Sequence, residues 1–259
     1  MMISPTLADP SIVLVVEGAV AHLTLNRPDR HNALEAQDIE LFRTCLATVE
    51  ADENVRVLVV TGSGSRTFCA GASLKQMHTG DMSGDVFETL TNDLAALRVP
   101  TICAVNGGVY GGGAEIALCC DFRIGVTTST LSVPAARLGI CYPVSGLRRY
   151  VERLGLGVAQ RILVANEELG ADELLDLGFF DRVVEPDRLE EAAGALARRI
   201  AGLAPLAVQA MKRTLVGIAA GTLDEERARA DVEACMRSSD LQEGLRAQRE
   251  GEEPRFAGR

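Results

Sequence analysis

Short β-branched runs and longer stretches of helical periodicity alternate along this chain. Residues 13–16 and 20–25, divided by Glu17-Gly18-Ala19, predict an opening hairpin. Asn26-Arg27-Pro28-Asp29 reads as a turn, with Asn32 as a candidate cap for the helix that follows. That helix spans residues 34–49, where Ile39, Phe42, Leu46 and Val49 recur at helical spacing, and Asp52-Glu53-Asn54 ends it. Residues 55–61 are almost continuously apolar, the pattern of a strand covered on both faces.

A polar stretch then leads to Phe68-Cys69-Ala70-Gly71-Ala72, and residues 78–85 read as a mobile loop. A helix over 86–97 is followed by Pro100, a strand over 101–105 and the loop Asn106-Gly107-Gly108-Val109-Tyr110. Gly111-Gly112-Gly113 opens a helix through Glu115 to Cys120, and residues 122–126 form another strand. Strand, glycine turn and helix repeat in order, which predicts a mixed α/β architecture. Beyond Leu147 the pattern becomes helical, with one stripe at Leu206, Ala210, Met211, Leu215 and Ile218 and a second helix over 223–236. No Pro- or Ser-rich linker isolates this tail. Residues 1–200 are therefore read as the core, and 201–259 as a helical cap and oligomer contact.

Composition narrows the functional classes. A length of 259 residues suits one domain with a small appendage. The formal charge of -10, aromatic content of 4% and absence of Trp argue against nucleic-acid binding, which needs a basic field or a stacking platform. No apolar run is long enough for a membrane span, and residues 1–10 lack a basic-then-apolar signal pattern. Seven cysteines without a C-x-x-C pair give no zinc or thioredoxin-like motif, and most read as small buried hydrophobes, Cys141 included. A cytosolic or similarly reducing compartment is expected. His22, His31 and His78 lack the spacing of metal ligands or of a nucleophile's partner, and all three read as structural.

Two glycine-rich elements carry the candidate chemistry, Ala70-Gly71-Ala72 and Gly111-Gly112-Gly113. Small residues admit a ligand close to backbone N–H groups, and a helix start leaves such donors unpaired. Two donors converging on one oxygen form an oxyanion hole, in which a single donor is worth about 3–4 kcal/mol to a transition state. The alternative is that these glycines only permit tight turns. A P-loop, a G-x-G-x-x-G fingerprint and a G-x-S-x-G elbow are all missing, and Gly155-Leu156-Gly157 finds no third glycine.

The chain resembles the crotonase (enoyl-CoA hydratase/isomerase) superfamily. The resemblance is carried by Leu25-Asn26-Arg27-Pro28 with Asn32-Ala33-Leu34, by Phe68-Cys69-Ala70-Gly71-Ala72, by Pro100 to Gly107, and by Gly111 to Asp121. It implies a spiral of ββα turns with a C-terminal helical region, assembled as trimers or as hexamers built from two trimers. It also implies an acyl-CoA thioester as substrate, with coenzyme A part of that substrate and no metal or separate cofactor. By motif, the N–H groups of Ala72 and Gly112 would hold the thioester oxygen. Arg27, Asp29, Arg30, Ala70 and Lys75 would contact coenzyme A, the first three towards its nucleotide end. The stretch from Gly62 to Gly84 would shape the acyl pocket. Glu115 matches the first of the two catalytic glutamates of family hydratases; its other reading is an acid in a helix's first turn, favourable to the macrodipole.

The second glutamate is missing. Pro134-Ala135-Ala136-Arg137-Leu138-Gly139 carries Ala135 at its position, and a methyl group neither donates a proton nor holds water. Tyr142 enters the neighbouring segment, Tyr142-Pro143-Val144-Ser145-Gly146, where it is either a hydrogen-bond or proton donor or a packed aromatic. Residues 129–142 resemble the methylmalonyl-CoA decarboxylases of the family, although Ala72 replaces their histidine. Three functions follow from the resemblance: hydration or dehydration of an enoyl-CoA, decarboxylation of a malonyl-type thioester, and acyl-CoA binding without catalysis. The tail segment Gly251-Glu252-Glu253-Pro254 lacks the basic pair the family often has there.

Overall fold

A computed structural model of the protein describes residues 10–81 and 83–259. The opening hairpin is β1 (Ile12–Glu17) with β2 (Val20–Leu25), paired antiparallel from Ile12↔Leu25 to Glu17↔Val20. Helix α1 (Ala36–Ala51) crosses to β3 (Val57–Gly62) and β4 (Thr67–Cys69), followed by α2 (Leu74–Thr79) and α3 (Gly84–Ala96). The next turn is β5 (Thr101–Val105), β6 (Gly108–Tyr110) and α4 (Gly112–Cys119). Then come β7 (Phe122–Val126), β8 (Thr130–Ser132) and the long helix α5 (Val144–Leu163). Strand β9 (Leu169–Gly170), α6 (Ala171–Asp176), β10 (Arg182–Val184) and α7 (Leu189–Ala201) complete the core. Helices α8 (Pro205–Ala220), α9 (Glu225–Arg237) and α10 (Ser239–Glu250) form the tail.

Each ββα turn contributes one strand to each of two sheets. The larger sheet runs β1-β2-β3-β5-β7-β10 and is parallel from β2 onward; the smaller runs β4-β6-β8-β9. Strand β3 shows why its sequence is apolar throughout. Leu58 and Val60 face the main core, while Val57 and Val59 join Ile102, Ala104, Ile124 and Val126 beneath Leu189, Ala193 and Ala197 of α7. Alternate side chains of one strand thus enter two separate hydrophobic layers.

The structure departs from the sequence pattern in identifiable places. Residues 108–110, expected in a loop, are strand β6, and β9 and β10 interrupt the region expected to be helical. Strands of two or three residues are too short to show alternation and exist through pairing with a neighbour. The expected loop over 78–85 includes residue 82, which lies outside the described residues; residues 78 and 79 end α2 and residues 84 and 85 begin α3. Gly155 (φ 77°, ψ 161°) breaks α5 into two helical segments, so the Gly155-Leu156-Gly157 run is a helix break. In α8 only Ala210 of the predicted stripe is buried, whereas Met211, Leu215 and Ile218 are 58%, 66% and 58% exposed.

The tail is tied to the core by polar contacts. Lys212 Nζ donates to Asp121 Oδ2 (2.7 Å) and to the Val99 carbonyl (2.7 Å), and Asp121 in turn accepts from the Thr101 N–H. Arg56 donates to the carbonyls of Ala201 and Phe256.

Asn32 does not cap α1, whose N-cap is Glu35 in a reciprocal box with Asp38. It is buried with φ 53°, in the left-handed region that asparagine tolerates. Its Nδ2 lies within bonding distance of the carbonyls of Ser63, Thr67 and Phe68 (3.1, 2.9 and 3.0 Å), and its Oδ1 accepts from the Arg27 N–H (2.9 Å). One carboxamide therefore pins the turn after β2 to β4 itself and to the loop that precedes it. Asn32→Ala is expected to lower unfolding free energy by roughly 2–4 kcal/mol, because buried backbone groups lose their partners. Urea denaturation checks this, and an unchanged midpoint would refute the cross-linking role.

Candidate active site

Where β4 ends and α4 begins, two backbones touch. Gly71 (φ +79°) lies so close to α4 that a Cβ there would sit 2.5 Å from the Gly112 nitrogen. A Cβ on Gly113 would overlap the Cys69 carbonyl, and one on Gly112 would sit 2.5 Å from the Phe87 ring. Glycine is required at Gly71 and Gly113 by close approach of backbone, and at Gly71 by its backbone angle as well, whereas at Gly112 the neighbour is a side-chain ring.

The bridge between Leu34 and Ala72 uses the Gly71 carbonyl and the Ser73 N–H, so the Ala72 N–H remains outside it. Gly112 N–H belongs to the first turn of α4, where no intrahelical acceptor exists. Neither donor is engaged by another backbone group among the described residues. Both residues line a cavity of about 600 Å³.

The cavity walls are mostly apolar, with Leu74, Met77, Phe87, Leu138 and Ile140 among them, and its polar groups are few. Ala70, Ala72, Gly112, Glu115, Tyr142 and Arg30 all line it; Arg27, Asp29 and Lys75 do not. Arg30 is exposed and pairs with Glu35 (3.0 Å) and more loosely with Asp29 (3.8 Å). Ala135 lines the cavity, where this segment carries no carboxylate. One expectation is corrected: Cys141 is exposed at the cavity rather than buried in the core. His31 also lines the cavity, with its Nδ1 2.8 Å from the Thr67 hydroxyl. Both lie in irregular segments, where periodicity gives no direction for a side chain. Among the described residues, no group of three or more His, Cys, Asp or Glu side chains is placed to hold a metal ion.

Glu115 sits in the first turn of α4 with its side chain 4% exposed. Its Oε1 accepts from Arg149 Nη1 at 2.6 Å, and Arg149 Nη2 donates to Asn92 Oδ1 at 3.1 Å. A Cβ on Gly146 would lie 3.1 Å from either carboxylate oxygen. Gly146 and Arg149 both come from α5, one turn apart, and Tyr150 follows on the same face. Arg149, which pairs with Glu115, has no sign of that pairing in the sequence pattern. Its spacing from Gly146 was readable, but nothing in the sequence said that this face of α5 meets α4.

Burial is the dominant influence on Glu115 and raises its carboxyl above the ordinary range. Arg149 and the Thr91 hydroxyl oppose that rise, and the charge of Glu88 adds to it. Tyr142 is also raised, first by burial and second by the Glu115 charge, with Tyr150 opposing. The rings of Tyr142 and Tyr150 meet edge to face at 6.0 Å and 89°. Tyr150 is completely buried, and its hydroxyl has no partner of good hydrogen-bond geometry among the described residues. A buried unsatisfied hydroxyl costs about 1–3 kcal/mol, a penalty Phe would avoid.

The fold gathers Ala72 and Gly112, whose N–H groups have no backbone partner among the described residues, and the buried carboxylate of Glu115 around one apolar cavity. A family model described as Enoyl-CoA hydratase/isomerase matches residues 16–259, and the chain belongs to that family. It is 34% identical to the short-chain-enoyl-CoA hydratase of Clostridium acetobutylicum over 210 residues, covering 79% of this chain and 80% of that one. The carnitinyl-CoA dehydratase of Proteus mirabilis is 35% identical over 207 residues, 78% of each chain. A solved enoyl-CoA hydratase from Bacillus anthracis superposes with a TM-score of 0.89 at 29% identity, over 96% of this chain and 100% of that one. The protein is accordingly an acyl-CoA-processing enzyme of the enoyl-CoA hydratase type.

Removing the guanidinium with Arg149→Met should move the Glu115 titration to higher pH, since a lowering influence is lost while burial remains. Carboxyl ¹³C NMR with Glu115→Gln for assignment checks this. A titration that stays put or moves down would refute the pairing.

Proposed function

We propose that the enzyme adds water to, or removes it from, a 2-enoyl-CoA thioester using Glu115 as its single carboxylate. The observation that carries this reading is the placement of Glu115 in the same cavity as the Ala72 and Gly112 N–H groups. In the hydration direction Glu115 takes a proton from water as its oxygen bonds to C3. Negative charge moves to the thioester oxygen and is held by the two N–H groups. Tyr142 supplies the proton to C2, and the proton on Glu115 returns to the phenolate, so one water is added in total. Arg149 opposes the rise that burial imposes on the Glu115 carboxyl and so favours the ionised form the base needs.

The acyl chain would lie against Leu74, Met77, Phe87 and Leu138. Arg30 at the cavity, with Arg27 and Asp29, would take the nucleotide end of coenzyme A, and Lys75 would contact it near the pocket mouth. The reaction as written needs no metal or separate cofactor. A trimer or hexamer, with residues 201–259 as the contact region, is supported by the outward apolar positions of α8 and by Val232 and Met236 of α9, both over 60% exposed. A reducing compartment is supported by seven free cysteines. Among the described residues, no helix is long and apolar enough to cross a membrane.

Ala135 favours a second reading, decarboxylation of a malonyl-type thioester. There the same N–H pair stabilises the enolate left when carbon dioxide departs, and no second acid is needed.

Mass spectrometry of 2-enoyl-CoAs, methylmalonyl-CoA and ethylmalonyl-CoA incubated with the enzyme separates the two. Gain of one water is expected, reduced by about 10²–10⁴-fold in Glu115→Gln. Loss of carbon dioxide without hydration would replace the first reading with the second, and an unchanged panel would favour an acyl-CoA-binding protein. In the hydration assay, kcat should fall with pH at a higher point than for an exposed glutamate, because burial raises the Glu115 carboxyl and the base must be ionised. Gly71→Ala should lower kcat by about 10²–10³-fold by forcing the two donors apart. Wild-type kcat in that variant would refute the assignment of the donors.

A further inference from the structure

We propose that Tyr150 is a positioning residue that turns Tyr142 into the second proton-handling group of the site, the role left open by Ala135. The inference rests on the hydration reading above. Tyr150 does not line the cavity; it stands behind Tyr142, which does. Its ring is wholly buried in the main core, where Phe would pack equally well, yet the side chain carries a hydroxyl into apolar surroundings. The groups that act on that hydroxyl are Tyr142, then Glu115 and Cys119 of α4. Of these, Tyr142 is the one placed edge to face against the Tyr150 ring.

The same face of α5 already conditions Glu115 through Gly146 and Arg149. Tyr150 extends that face to the other half of the site. When Tyr142 gives its proton to C2 of the enolate, it becomes a phenolate in a buried place with Glu115 nearby. The Tyr150 O–H is then a donor to that phenolate oxygen, and no second carboxylate is needed. It makes the hydrogen bond as the charge forms, and releases it when the proton on Glu115 returns to Tyr142. A donor unpaired in the resting protein and paired in the charged intermediate acts on the transition state more than on substrate binding.

Tyr150→Phe removes this donor and keeps the ring. The expected result is a kcat lowered about 10–100-fold, the value of a hydrogen bond to a charged group, with KM unchanged and thermal stability not reduced. Tyr142→Phe should lose at least as much, and the double variant no more than Tyr142→Phe alone, because both act through one phenol. A second measurement needs no substrate. The chain has three tyrosines and no Trp, so protein labelled with ¹³Cζ-tyrosine gives three resonances, assigned by substitution. Tyr150→Phe should shift the Tyr142 resonance and leave Tyr110 in place. Unchanged kcat, an additive double variant or an unmoved Tyr142 resonance would each overturn the inference, and none of them would touch the hydration reading. A shifted resonance in an enzyme that hydrates no enoyl-CoA would sink the reading of the reaction while keeping the pairing of the two phenols.

Discussion

The contact between Gly71 and Gly112 is the constraint on which the site depends. It joins the end of a strand in the small sheet to the first turn of a helix, leaving no room for a side chain between them. Hydrogen-bond donors on separate segments reach one ligand atom only if their backbones approach this closely. The close approach also fixes where the cavity lies, because α4 then carries Glu115 past the donors into the core. Asn32 holds the neighbouring turn, and Asn106 accepts from the Gly62 N–H and donates to the Gly64 carbonyl. Two buried or half-buried amides thereby fix the loops around β4, which is too short to hold itself.

Electrostatics at the far end of the cavity come from α5. Burial raises the Glu115 carboxyl, and Arg149, with its guanidinium 2.6 Å away, opposes that rise. Arg149 is itself oriented by Asn92 of α3, so three helices define one charge. The absence of a carboxylate at Ala135 makes the remaining polar groups few, and each then carries more of the chemistry. Two phenols in contact, one at the cavity and one behind it, are an uncommon feature for an otherwise apolar wall.

Packing and assembly follow a different logic. The large sheet is covered on both faces, by the main core and by α7, and its strands are apolar for that reason. Helix α8 is fastened to the core through the half-buried Lys212–Asp121 pair while its Met211, Leu215 and Ile218 are exposed. A helix held by polar bonds on one side and apolar on the other is suited to contact with another surface.

The sequence by itself determined the mixed α/β class, the hairpin, the long strands, α1, α4 and the tail helices. Those elements are long enough, or sufficiently marked by glycine and proline, to show their periodicity. It also offered Ala72, Gly112, Glu115 and Tyr142 as candidates, the first three through the family resemblance of the glycine-rich motifs and the last through a departure from it. Only the tertiary structure decided that β6, β9 and β10 are strands, since segments of two or three residues take their conformation from the neighbour they pair with. Only the tertiary structure joined Arg149 to Glu115 and Tyr150 to Tyr142. Helical spacing states which residues share a face, and it does not state what that face will meet. Asn32 shows the same limit: as a polar residue before a helix it reads as a cap, and the approach of β4, distant in sequence, makes it a cross-link.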